Sequence, residues 1–298
     1  MNENDFLHKK TALIANPSSG GGRGAVRTRE LTNLLKGMNI EPDILISQKP
    51  GHAIELGRQV KAGDYGCLLV LGGDGTISEV VKGLYGSDIP VATIPCGSCN
   101  DLAGTLGIPR KLEQAIEVIS QGKTIRIDLF KDYENICAET IGCGFAADVA
   151  AAAIRLSRHF SGPISYFAGV LETLSRFKTA EYHILIDGEE WQGVASMVLI
   201  NNTYRVGGGM KLTPEAEIDD GYLDIIIVNT SNKYELLRLL PLVYSGRHVK
   251  SPNVIIRRGR KFKVDSSHRL RKMADGDIIG TLPMDVEIIP SAMNFICA

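Results

Sequence analysis

Apolar residues fall along the first 125 positions in two alternating kinds of run. Short, uniformly apolar stretches predict buried strands at Thr11 to Ala15, Cys67 to Leu71 and Val91 to Ile94, and Pro42 to Ser47 is also strand-like. Between and after them, apolar positions at helical spacing predict helices at Ala25 to Lys36, His52 to Lys61, Ile77 to Tyr85 and Lys111 to Ser120. Short apolar strands separated by helices belong to a parallel sheet covered on both faces. Right-handed crossovers then make a doubly wound α/β domain, with ligand loops at the carboxyl ends of its strands.

After about Ile125 the pattern changes. Ile125 to Lys131, Ile136 to Ile141, Glu181 to Ile186, Gly193 to Ile200, Tyr222 to Val228, Asn253 to Val264 and Met284 to Ile289 predict strands with few helices between them. That favours an antiparallel sheet or sandwich. Two helical stretches interrupt it, Phe145 to His159 and Ser165 to Phe177, on either side of the breaker Gly162-Pro163. The expected division is residues 1–125 as an α/β domain and 126–298 as a β-rich domain, its C-terminal tail free to return to the first.

Composition narrows the class. At 298 residues, 44% hydrophobic and 22% charged, the chain is ordinary globular protein with enough apolar material for two cores, which excludes disorder, collagen-like repeats and coiled coil. The longest apolar stretches, Cys67 to Leu71 and Phe145 to Ile154, fall short of the ~20 residues that span a bilayer. Met1 to Lys10 is polar and lacks the features of a secretory signal, so a cytoplasmic protein is expected. Six scattered cysteines make no disulfide scaffold, and the single pair Cys96 and Cys99 has no second pair or neighbouring histidine for zinc. The net charge of −1 hides ten Lys/Arg against one acid between Arg247 and Lys272. Such a stretch suits nucleic acid, an acidic membrane surface or a solvated face.

Candidate chemistry lies in glycine-rich loops. Asn16-Pro17-Ser18-Ser19-Gly20-Gly21-Gly22, Gly72-Gly73-Asp74-Gly75-Thr76 and Pro95-Cys96-Gly97-Ser98-Cys99-Asn100-Asp101 each follow a predicted strand. Glycines before a helix leave backbone N–H groups free for phosphate oxygens, and let the chain approach a ligand closely. Asp74 adds a carboxylate there, which suggests a magnesium-bridged nucleotide; the same residues also make ordinary turns and helix caps. No G-x-x-x-x-G-K-[ST] occurs, which excludes a P-loop enzyme.

Gly72-Gly73-Asp74-Gly75-Thr76 resembles the superfamily of diacylglycerol kinases, sphingosine kinases, NAD kinases and 6-phosphofructokinases. Its companions narrow the branch. Asn16-Pro17, the loop from Pro95 to Asp101, Asp219-Asp220-Gly221-Tyr222-Leu223-Asp224 and Asp275-Gly276-Asp277, in order from Asn16 to Pro290, look like the bacterial diacylglycerol kinase-like lipid kinases.

That resemblance implies a 6-phosphofructokinase-like first domain and a β-sandwich second domain. The implied activity is transfer of the ATP γ-phosphoryl group to a lipid hydroxyl, with diacylglycerol giving phosphatidic acid. An NAD kinase-like or sugar kinase-like enzyme, or a non-catalytic lipid- or nucleotide-binding regulator, is the alternative. ATP is expected at Asn16, Ser47 (usually Thr), Gly73, Asp74, Gly75, Thr76, Ile77, Ser78 and Glu79, with Ser98 (usually Thr), Asn100 and Asp101 on the phosphate side. Asp74 would serve the catalytic magnesium, and Asp277, where the family has glutamate, would be the proton acceptor. A structural magnesium is implied at the acidic loop, on the Asp220 carboxylate with the backbone carbonyls of Glu217 and Tyr222 as neighbours. Acyl chains are expected near the helices carrying Phe160, Tyr166, Phe167 and Leu171. Implied partners are a lipid alcohol and an anionic membrane surface touched peripherally, with no nucleic acid and a homodimer left open.

Overall fold

The computed structural model describes residues 6–156 and 163–298. The chain forms two compact units, one running to Ile127 and joined by Ser291–Ala298, the other from Asp128 to Pro290.

In the first unit β1 (Thr11–Ala15), α1 (Arg23–Gly37), β2 (Asp43–Ile46), α2 (His52–Ala62), β3 (Cys67–Gly72), α3 (Asp74–Leu84), β4 (Val91–Pro95), α4 (Asp101–Thr105) and α5 (Leu112–Ser120) follow in order. The strands lie parallel in the order β2-β1-β3-β4, and Phe295 of the returning chain end pairs beside Val91. β1, β3 and β4 are buried throughout, because helices cover both faces. Leu13, Ala15, Leu69, Leu71, Ala92 and Ile94 share a core with Leu31 and Leu35 of α1 and Ile116 and Ile119 of α5. α2 and α3 pack together at Gly57 and Gly83, where a Cβ on Gly83 would stand 2.1 Å from the Ile54 carbonyl. α3 starts three residues before its apolar periodicity does, since the motif itself forms the first turn: Thr76 N–H donates to the Gly73 carbonyl.

The second unit begins with the end of β5 (Thr124–Asp132), then β6 (Asn135–Cys137), β7 (Thr140–Gly144), α6 (Phe145–Leu156), α7 (Pro163–Ser175), β8 (Ala180–Ile186), β9 (Glu189–Ala195), β10 (Met197–Asn201) and β11 (Leu223–Val228). It continues with α8 (Lys233–Val243), β12 (Val254–Gly259), β13 (Lys261–Ser266), β14 (Arg271–Ala274), β15 (Asp277–Thr281) and β16 (Met284–Ile296). One antiparallel sheet runs β12-β11-β10-β7-β14-β15. The antiparallel run β16-β13-β8-β9 faces it across a core of Ile141, Val198, Ile225, Ile184, Phe262 and Val286. Alternate residues on the outer face of the first sheet, Leu199, Ile226 and Met273, pack under α6, α7 and α8.

Three expected strands are each two. Ile136 to Ile141 breaks at Ala138 and Glu139, whose N–H groups donate to the Asp275 carboxylate instead of a ladder. Gly193 to Ile200 changes sheet at Ser196, and Asn253 to Val264 at Arg260, where Asp187 accepts from the N–H groups of Arg260 and Lys261. Glu139, Ser196 and the basic Gly259-Arg260-Lys261 stand at these joins, and the groups that turn the chain there come from residues distant in sequence. α4, α8 and the β14–β15 hairpin add elements that periodicity missed; α8 contains Pro241 and is capped by the Asn232 side chain accepting from Tyr234 N–H. The end of the expected helix at His159, the breaker Gly162 and Phe160 lie outside the described residues.

Candidate functional site

The carboxyl ends of β2, β1, β3 and β4 lie side by side and deliver Ser47, Asn16, Gly73-Asp74 and the Cys96–Asp101 loop to one edge of the sheet. Ser47 is buried, its N–H donating to the Ala15 carbonyl. Asn16 donates from Nδ2 to Thr76 Oγ1 at 2.9 Å and accepts from Ser18 N–H, tying the first loop to the second. The second and third loops meet glycine to glycine: a Cβ on Gly97 would fall 2.6 Å from Gly73 Cα. The first and third meet at Gly20, where a Cβ would fall 2.3 Å from the Cys96 carbonyl. These contacts require glycine because no side chain fits between the backbones.

Asp74 is the polar centre of this cradle. Its carboxylate accepts from Asn100 N–H at 2.7 Å and Asp101 N–H at 2.8 Å. Asn100, held at φ +55°, closes the third loop by accepting from Gly97 N–H and donating to the Gly97 carbonyl. Burial, and then the neighbouring Asp101 charge, push the Asp74 carboxyl up to about 6 despite those amides. Ligand atoms of Asp74, Asp101 and Cys99 lie within 4.8 Å of one another. Two carboxylates so close, one raised by the other, fit a hard divalent cation such as magnesium; a thiol does not suit that ion.

The remaining expected nucleotide residues divide. Gly75 and Ser98 are exposed at the cradle, and Arg110 Nη2 donates to the carbonyls of Ser98 and Cys99. Ile77 and Ser78 are buried in α3. Glu79 turns to α2, its two carboxylate oxygens accepting from Gly51 N–H at 2.7 Å and Ala53 N–H at 3.1 Å.

In the second unit, Asp275 and Gly276 both have positive φ and make the two-residue hairpin turn between β14 and β15. Asp277 opens β15 and is exposed. The Asp275 carboxylate instead accepts from the N–H groups of Ala138, Glu139 and Thr140, all at 3.0 Å, so Asp275 is a clamp for that bend.

The acidic loop is held from within. Asp220 accepts from Tyr222 N–H at 2.9 Å on one oxygen and pairs with the Arg258 guanidinium on the other. Arg258 and Arg260 lie 4.8 and 4.6 Å from the Tyr222 ring centroid. Asp128, fully buried, accepts from Gly221 N–H at 2.6 Å. Glu217 is exposed. A guanidinium thus stands against the Asp220 carboxylate, where the resemblance implies a structural magnesium. Asp128 and Arg258 were missed in the sequence; an aspartate inside the apolar run Ile127-Asp128-Leu129 was the available signal.

Half of the basic residues in the stretch from Arg247 to Lys272 are paired with acids. Lys272 is buried against Asp132 at 2.5 Å, Arg258 pairs with Asp220, Lys261 with Glu287, Lys263 with Asp285 and Arg271 with Asp148. Among the described residues no helix is long and apolar enough to cross a membrane.

Known proteins resemble this chain over most of its length. Residues 10–131 match the family model described as the diacylglycerol kinase catalytic domain, and residues 139–297 the one described as the YegS C-terminal NAD kinase beta sandwich-like domain. A protein named diacylglycerol kinase from Staphylococcus carnosus (strain TM300) is 29% identical over 279 residues, 93% of this chain and 91% of its own length. Another of that name from Staphylococcus aureus (strain JH9) is 30% identical over 284 residues, covering 93% and 89%. A crystal structure from Bacillus anthracis str. Sterne, described among the diacylglycerol kinases, has the same fold, with a TM-score of 0.82 over 97% of each chain at 22% identity. With a catalytic-domain match on the unit that carries the Asp74 cradle and a sandwich-domain match on the other, the chain belongs to the diacylglycerol kinase family of ATP-dependent lipid kinases.

Proposed function

We propose that this kinase phosphorylates diacylglycerol, giving phosphatidic acid and ADP. The observation that carries the reading is the glycine-lined cradle around Asp74, where three loops meet backbone to backbone at Gly20, Gly73 and Gly97 and are tied by the Asn16 and Asp74 side chains. Phosphate oxygens of ATP approach such a cradle through backbone N–H groups, with Asn16, Thr76 and Ser98 adding polar side chains. Asp74 and Asp101 would hold a magnesium ion beside them, and the ion supplies neutralising charge for the transferred group. The lipid hydroxyl oxygen bonds to the γ-phosphorus as the bond to the bridging oxygen breaks, and ADP leaves with that electron pair. Asp277 takes the hydroxyl proton.

Diacylglycerol resides in a bilayer, and two features support peripheral contact with an anionic membrane. Ile164, Phe167 and Leu171 follow one face of α7 at helical spacing and are 62, 65 and 51% exposed. Exposed Arg176 and Lys178 follow them, of the sign that anionic headgroups attract. The side chain of Tyr166, expected to join that apolar group, lies outside the description. With half of the basic residues between Arg247 and Lys272 in ion pairs, that stretch supports membrane contact less than its sequence suggests.

The test is phosphoryl transfer from labelled ATP to a panel of lipid alcohols in mixed micelles. Labelled phosphatidic acid from diacylglycerol is the expected product; transfer confined to a sphingoid base, a sugar or NAD overturns the reading. Asp277→Asn should lower turnover by about 10²–10⁴-fold while ATP binding persists. A variant keeping more than about half of wild-type turnover removes Asp277 as the base.

A further inference from the structure

We infer that the acidic loop of the second unit is held by the Arg258 guanidinium in the position where the family resemblance implies a structural magnesium. Three observations meet here. Asp220, the one carboxylate assigned to that ion, has one oxygen on Tyr222 N–H and the other on Arg258. Arg258 is placed by the ladder itself: it is the β12 partner of Asp224 in β11, so its backbone is fixed one strand from the loop's end. Its guanidinium and that of Arg260 both lie against the Tyr222 ring, at 4.8 and 4.6 Å from the centroid.

These contacts provide what a metal would. A divalent ion neutralises Asp220 and fixes the turn; Arg258 neutralises the same carboxylate, and its planar group also stacks on the turn's aromatic residue. Asp128 anchors Gly221 N–H independently, so the turn has a second attachment that involves no cation. An added ion on Asp220 would stand beside the Arg258 guanidinium and meet like charge from it. The loop thus has its cation covalently built into β12.

The experiment uses the whole chain without nucleotide. Thermal melts of wild type in EDTA and in millimolar magnesium should superimpose, and Arg258→Met should melt about 2–4 °C lower in EDTA. Manganese titration followed by electron paramagnetic resonance should find no tight site that Asp220→Asn removes. Arg258→Met melting with wild type overturns the inference. So does a magnesium-dependent rise in the wild-type melting temperature, or one tightly bound manganese, that Asp220→Asn abolishes. If Arg258→Met does not fold, the manganese titration of wild type against Asp220→Asn still decides.

Discussion

Asp74 and Asp220 each precede a glycine at a turn, yet their surroundings are opposite. Asp74 sits among backbone amides with another carboxylate beside it, and its carboxyl is pushed up to about 6. Asp220 sits against a guanidinium. Asp275, in another Asp-Gly pair, is engaged by three amides. An uncompensated buried carboxylate costs stability, so a protein retains one where a cation or a proton is to be received. The contrast teaches that the Asp-Gly signature is common to sites and to clamps, and that the partner separates them.

The largest effect expected from breaking this contrast is on Asp74. Asp74→Asn removes the negative charge while keeping the shape, so turnover should fall by about 10²–10³-fold, the scale of one preorganised electrostatic group. Circular dichroism and melting temperature should stay close to wild type, and saturating magnesium should not restore the rate. Recovery of wild-type turnover at high magnesium would make Asp74 one more clamp.

Asp275 tests the other side. Asp275→Ala strands three N–H groups of the bend at Ala138–Thr140 and should cost about 2–4 kcal/mol in urea unfolding. The catalytic rate of the fraction that remains folded should change far less than in Asp277→Asn. The sequence placed Asp275 and Asp277 in one turn, and the family resemblance implied the proton acceptor at Asp277; what Asp275 does comes from the amides of Ala138–Thr140, 135 to 137 residues away.

The smallest effect sharpens the comparison inside the second unit. Asp224 is 6% exposed, and burial, then the Glu215 charge, push its carboxyl from 3.8 up to about 6. The folded state therefore binds this proton more tightly than the unfolded chain. Its contribution favours folding at low pH and is lost as pH rises from about 4 to about 6. Asp224→Asn should match wild type near pH 4 and exceed it by about 1–3 kcal/mol at pH 7, read from urea melts across that range. A difference constant with pH would show that Asp224 is ionised in both states.

Much of the first unit was legible in the sequence for a simple reason. Uniformly apolar β1, β3 and β4, separated by amphipathic helices, have one stable arrangement, a parallel sheet covered twice, and its carboxyl edge must carry the loops at Asn16, Gly73 and Ser98. The second unit was legible in class but not in its corners. Strands at Gly193 to Ile200 and Asn253 to Val264 read as continuous, because no proline marks the corners at Ser196 and Arg260 and the groups that turn the chain, Val228 and Asp187, are distant in sequence.

The sequence by itself determined which residue types stand at each loop: glycines where backbones touch, and aspartates at Asp74, Asp220, Asp275 and Asp277. Tertiary structure alone decided what each aspartate faces. Side-chain chemistry is local, but electrostatic environment is set by groups distant in sequence: Asp101 beside Asp74, Arg258 on Asp220, and the Ala138–Thr140 amides on Asp275. The same separation governs Glu79, whose place in the motif suggested nucleotide while its carboxylate holds the start of α2.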